Sequence, residues 1–142
     1  MTHALTRTAV TLLLIAQLAG CQHGEAAAPL PALDWHTSPL DLNLRGMNGK
    51  TYLFRCPAGK PTPAAVTGSG VYTDASSICA AAVHAGEIDS TRGGLVMIQI
   101  LPGQSDYRGT MQNFIPSQAY TQAWGGSFAV LSPSEFHAER PR

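Results

Sequence analysis

The chain has 142 residues, a formal net charge of zero and only 13% Asp, Glu, Lys and Arg, about half the usual share. That length accommodates one domain, and the lack of a basic run excludes nucleic acid as the main partner and a polybasic helix lying on a membrane. Apolar residues at 44% exclude the composition of a disordered chain.

The first twenty residues read as a leader. Met1 to Arg7 is a short segment whose positive charge is Arg7, and residues 8–19 are uncharged, densest at Leu12-Leu13-Leu14-Ile15. That stretch is too short to span a bilayer and fits a secretory signal. It ends Leu18-Ala19-Gly20-Cys21, which resembles a bacterial lipobox. The resemblance implies that the Cys21 thiol receives diacylglycerol and that cleavage leaves Cys21 as an acylated N-terminus. Each buried CH2 of an acyl chain is worth about 0.8 kcal/mol, so several chains anchor firmly. Gln22 follows the cysteine, and by resemblance to bacterial sorting signals this favours the outer membrane, with the domain facing the periplasm. Residues 21–39 then form the lipidated N-terminus and a tether, in which Pro29 and Pro31 end any nascent helix. Trp35 to Pro39 either begins the domain or docks on it.

The predicted domain covers 40–131, with a tail at 132–142. Asn48-Gly49 is a turn signal. The strand after it, 50–56, puts Tyr52, Phe54 and Cys56 on one face and Thr51, Leu53 and Arg55 on the other. The proline-rich stretch 57–63 is a loop. Residues 70–73 form a short strand. A helix is predicted over 74–85, capped by Asp74 or Ser76 and stopped by Gly86 in a left-handed conformation. Ala75, Ile78, Cys79, Ala82 and Val83 form its apolar stripe, and Ala80 and Ala81 keep the other sides slim. A central strand, 95–101, is apolar on both faces. The last strand is 127–131, after Trp124-Gly125-Gly126.

A periplasmic address makes pairing the default for the two remaining cysteines, Cys56 and Cys79, which lie 23 positions apart. Closing that loop contributes about 3 kcal/mol in the chain-entropy treatment.

The run from Tyr72 to Gly86 resembles the hallmark of the LCCL domain, Tyr-x-x-x-Ser-x-x-Cys-x-Ala-Ala-x-His-x-Gly. Tyr72, Ser76, Cys79, Ala81, Ala82, His84 and Gly86 match it in order. Cys56-Pro57 upstream, and Gly93-Gly94, Leu101-Pro102-Gly103, Tyr107 and Trp124-Gly125-Gly126-Ser127-Phe128 downstream, extend the match. Where animal members carry a second cysteine after Cys-Pro, this chain has Lys60, which suits a single bridge. The fold the resemblance implies is α+β, a central helix wrapped by β-strands. The roles it implies are recognition roles, with no catalytic set and no cofactor.

The candidate recognition surface is the long loop 104–126, which offers Tyr107, Arg108, Asn113, Tyr120 and Trp124. Aromatic rings would stack on sugar faces while amides and a guanidinium meet hydroxyls or phosphate. His84 is either a ligand-binding side chain or a buried imidazole tying helix to sheet. The scattered His23, His36 and His137 have no metal-ligand spacing. Three functions follow: a membrane-anchored, non-catalytic module binding an envelope glycan or glycolipid; a structural or protein-interaction lipoprotein; and, remotely, a hydrolase using His84 with Asp74 or a serine. The hydrolase requires those groups to converge in an open cleft.

Overall fold

The computed structural model describes residues 28–61 and 64–132. The leader at 1–20, Cys21, His23 and residues 133–142 of the tail lie outside the described residues. Strands β1 (Thr51–Cys56), β2 (Gly68–Ser69), β3 (Val71–Thr73), β4 (Gly94–Pro102) and β7 (Gly126–Leu131) form an antiparallel sheet in the order β1-β4-β7-β3-β2. Strands β5 (Met111–Gln112) and β6 (Ile115–Pro116) form a separate hairpin, and α1 is Ile78–Ala85. The protein is thus an α+β fold, mostly sheet with one short helix.

Alternation sets the register. In β1, Phe54 and Cys56 are buried while Thr51, Leu53 and Arg55 face out, and Phe54 sits opposite Val96 of β4. In β4, Val96, Ile98 and Ile100 are buried, but Leu95 on the opposite face is 48% exposed. The strand is central, between β1 and β7, yet only one of its apolar faces lies deep. Tyr72 and Phe128 pair across β3 and β7 and complete the apolar face. The Cys56–Cys79 disulfide joins the end of β1 to the first turn of the helix.

The helix starts four residues later than the sequence predicts. Ser77 is the N-cap, accepting the Ala80 N–H at 3.0 Å. Neither Asp74 nor Ser76 caps: the Asp74 carboxylate is taken by Arg45 and Trp124, and the Ser76 hydroxyl accepts from the Thr67 N–H and bonds Thr73. Ala75 consequently precedes the helix and is exposed. Gly86 ends the helix at φ 83° and ψ 13°, with the Glu87 N–H reaching back to the Ala82 carbonyl at 2.9 Å, the left-handed stop that glycine adopts without steric cost. Every residue from Ile78 to His84 is buried. The alanines let β4, β5, β6 and β7 approach the helix closely.

Residues 33–39 pack into the core. Leu33, Trp35, Ser38 and Pro39 are buried, and this segment receives the first helical donors. The Ile78 N–H reaches the Thr37 carbonyl at 3.0 Å, and the Ser77 hydroxyl the Trp35 carbonyl at 2.8 Å. A helix N-terminus otherwise leaves those groups unpaired.

Candidate functional site

Asp74 accepts three side-chain hydrogen bonds. It is fully buried. Arg45 donates from Nε and Nη2 to its two oxygens at 2.6 and 2.7 Å, and the Trp124 indole N–H donates to Oδ1 at 2.7 Å. The Arg45 guanidinium also lies 5.5 Å from the Trp124 ring centroid, within cation–π range. Burial by itself would raise the Asp74 pKa, but the Arg45 and Trp124 hydrogen bonds outweigh it and hold the carboxyl below its usual range. Gly126 is required here because a methyl group on it would collide with the Asp74 carboxylate.

His84 is fully buried on the helix. Nδ1 lies 2.9 Å from the Tyr72 hydroxyl, and Nε2 lies 3.1 Å from the Thr110 hydroxyl. Thr110 continues to the Ser69 hydroxyl at 2.6 Å. Burial disfavours the imidazolium and pushes the His84 pKa down, outweighing the Thr110 hydrogen bond, which raises it. The unfolded chain, with an ordinary histidine near pH 6.5, therefore binds the proton first. Stability should fall as pH drops below about 6.5, by at most about 1.4 kcal/mol per pH unit for one group. Denaturant titrations between pH 5 and 8 should show this slope in the native chain and a shallower one in His84→Gln.

The hydrolytic set is not assembled. His84 bonds Tyr72 and Thr110, Asp74 bonds Arg45 and Trp124, and the Ser76 and Ser77 hydroxyls are used inside the fold. His84 has no access to solvent, so the cleft that reading requires is absent at this residue. Every buried side-chain nitrogen or oxygen among the described residues has a partner.

The candidate loop residues separate into different places. Tyr107 is a core residue, its hydroxyl 2.6 Å from the Ser127 hydroxyl and accepting the Gln104 N–H at 3.0 Å. Arg108 is exposed. Asn113 stands at the tip of the β5–β6 hairpin and donates its amide to the His84 carbonyl at 2.9 Å. Tyr120 and Trp124 are half-buried and meet edge to face at 5.7 Å. Trp124, Tyr120 and Arg45 thus form one partly exposed patch with the exposed Gly125 beside it.

Sequence reasoning missed Arg45 and Phe114. Arg45 lies 29 positions from Asp74, and nothing local marks the pair. Phe114 is 99% exposed at the hairpin tip, where Asn113 and Phe114 have φ of 47° and 63°. Positive φ at both central residues is the primed hairpin turn, for which Asn is a signal at the first position. Phe114 separates two grooves. One, of about 470 Å³, is lined by Pro61, Val66, Ala80, Ile115 and Pro116 among others; the second, of about 560 Å³, includes Glu87, Asp89 and Arg92.

The sequence model of the LCCL domain matches residues 33–128. The chain belongs to the LCCL domain family. The chain is 39% identical to human Cochlin over 122 residues, which is 85% of this chain and 20% of Cochlin. Human Vitrin is 40% identical over 81 residues, 56% of this chain and 12% of Vitrin. Human cysteine-rich secretory protein LCCL domain-containing 2 is 40% identical over 84 residues, 56% of this chain and 17% of that protein. The chain therefore spans a fifth or less of the length of these relatives. In this LCCL domain the hallmark histidine is His84, and it joins α1 to β3 through Tyr72. The hallmark cysteine, Cys79, is in the disulfide.

Proposed function

We propose that this LCCL domain is a non-catalytic binding module of the bacterial cell envelope, recognising a glycan or glycolipid and held at the outer membrane by acyl chains on Cys21. The observation that carries this reading is the patch of Trp124, Tyr120 and Arg45. Two aromatic rings are half-exposed, and the buried Asp74 fixes the indole in one orientation. A preset aromatic surface stacks on sugar faces at little entropic cost. The strand-lined helix is scaffold in this reading, and His84 packs instead of touching ligand.

Trp124 also supports Asp74, so Trp124→Ala mixes binding with folding. Tyr120→Ala is the cleaner variant. In pull-downs with envelope sacculi and on glycan arrays it should weaken binding about tenfold, the scale of one lost aromatic contact, with only a small drop in melting temperature from the lost Trp124 contact. Absence of binding by the native chain to any envelope glycan overturns the reading.

The hairpin favours a second reading, a protein-interaction lipoprotein. Phe114 and Met111 are exposed beside the apolar groove at Val66, Ala80 and Ile115, a surface suited to protein contact. Crosslinking in cells followed by mass spectrometry separates the two: one envelope protein captured through the hairpin supports the second reading.

A further inference from the structure

The β5–β6 hairpin carries a side chain the fold does not use. Phe114 is 99% exposed and Met111 is 69% exposed. Phe114 also holds a left-handed backbone at φ 63°, a conformation that disfavours residues with a Cβ. The tip is nevertheless fastened: the Asn113 amide donates to the His84 carbonyl at 2.9 Å, and the Thr110 N–H donates to the Ser117 hydroxyl at 2.9 Å. Ile115, behind the tip, packs against the core. A strained, fully exposed and rigidly presented aromatic side chain implies a surface outside the molecule that receives it.

We infer that the Met111–Pro116 tip inserts Phe114 into the lipid bilayer to which Cys21 is anchored; this rests on the acyl anchor of the proposed function. Chain length supports it. Ala28 is seven positions beyond Cys21, a reach of at most about 24 Å. The incoming chain pairs with Arg55, whose neighbour Cys56 is bridged to Cys79. The tip is fastened to His84, five positions along the same helix, or about 7.5 Å of rise. The chain from Cys21 thus enters next to the bridge that begins the helix, and the tip is held at the end of that same short helix, so a tether of this length lets anchor and tip meet one surface. No residue from Met111 to Pro116 is charged. The neighbouring groove holds Glu87 and Asp89 as well as Arg92, so insertion should depend little on anionic lipid.

Magnitudes decide against a second copy of the chain. Burying one phenylalanine side chain favours association by about 10- to 100-fold. Two free molecules exchanging Phe114 residues must overcome a loss of freedom equivalent to at least about 1,000-fold. A chain already held at the bilayer has met that cost through its anchor, so one side chain is enough to orient it.

The test uses the intact lipoprotein labelled with fluorophenylalanine in phosphatidylcholine vesicles, with the Phe114 resonance assigned by its loss in Phe114→Ser. Doxyl-labelled lipid should broaden this resonance several-fold, and a water-soluble paramagnetic agent should leave it sharp. Adding phosphatidylserine should change neither result. Broadening by the aqueous agent instead overturns the inference. Protection from both agents also overturns it, in favour of burial against a second copy of the chain. The mass of the Cys21 peptide tests the anchor separately. If Cys21 carries no acyl chains, the anchor reading fails, and the tip inference fails with it unless excess vesicles still broaden Phe114.

Discussion

Replacing Asp74 with alanine is expected to destabilise the domain by about 3 kcal/mol, the lower end of the cost of breaking a buried ion pair. Arg45 keeps 40% of its side-chain surface exposed and can be rehydrated, which keeps the loss from being larger. Calorimetry should show the melting temperature reduced by about 15 °C, at about 4 to 8 °C per kcal/mol for a domain of this size. Were Asp74 a helix cap, the loss would be about 1 kcal/mol, so the two roles are separable by magnitude. Arg45→Ala should be similarly harmful, because it leaves a buried carboxylate with the Trp124 indole alone. The pH dependence follows from the sign of the shift. The folded Asp74 pKa lies below the ordinary value, so its contribution is complete above about pH 4. That contribution is lost as pH falls through the folded value. The acid limb of the stability curve should be shallower in Asp74→Asn than in the native chain.

Removing the disulfide is the other large perturbation. The Cys56→Ala, Cys79→Ala double variant should lose about 3 kcal/mol through the freed unfolded chain, within the usual range of about 2 to 5 kcal/mol for a native disulfide of a small domain. Both half-cystines are buried, Cys56 at 3% and Cys79 at 0% exposure, so lost packing adds to the entropic effect. The bond also holds β1 against the helix, since α1 and β1 share no backbone ladder. Denaturant unfolding of the oxidised chain, the chain reduced with dithiothreitol and the double variant should place the last two well below the first, with the double variant lowest. Equal midpoints for all three would remove the disulfide from the account of stability.

The hallmark around Tyr72, Cys79, His84 and Gly86 was readable because it combines chemistry with spacing. Cysteine pairs with cysteine, glycine stops a helix, and a histidine among alanines has to find a buried partner. Strand β1 is equally legible from alternation, and β4 and β7 from apolar runs that follow glycine pairs. The hairpin is not, because β5 and β6 have two residues each and show no periodicity. The helix start was misplaced for a related reason. Asp74, Ser76 and Ser77 are all good capping residues, and local propensity does not choose among them. Long-range partners do: Arg45 and Trp124 claim Asp74, Thr67 and Thr73 claim Ser76, and only Ser77 is left for the Ala80 N–H.

Membership of the LCCL family, the α+β class, the cysteine pair and the glycine stop at Gly86 can all be read along the chain. Each depends on residue type and local spacing, which the linear chain contains. Tertiary structure alone decided which polar groups are scaffold and which face outward. Tyr107 and Asp74 lie inside, Tyr120 and Trp124 lie at a half-open edge, and Phe114 stands wholly in solvent. Burial is a property of what packs from elsewhere in the chain. A phenylalanine reads the same on the page whether strands cover it or a turn holds it out into water.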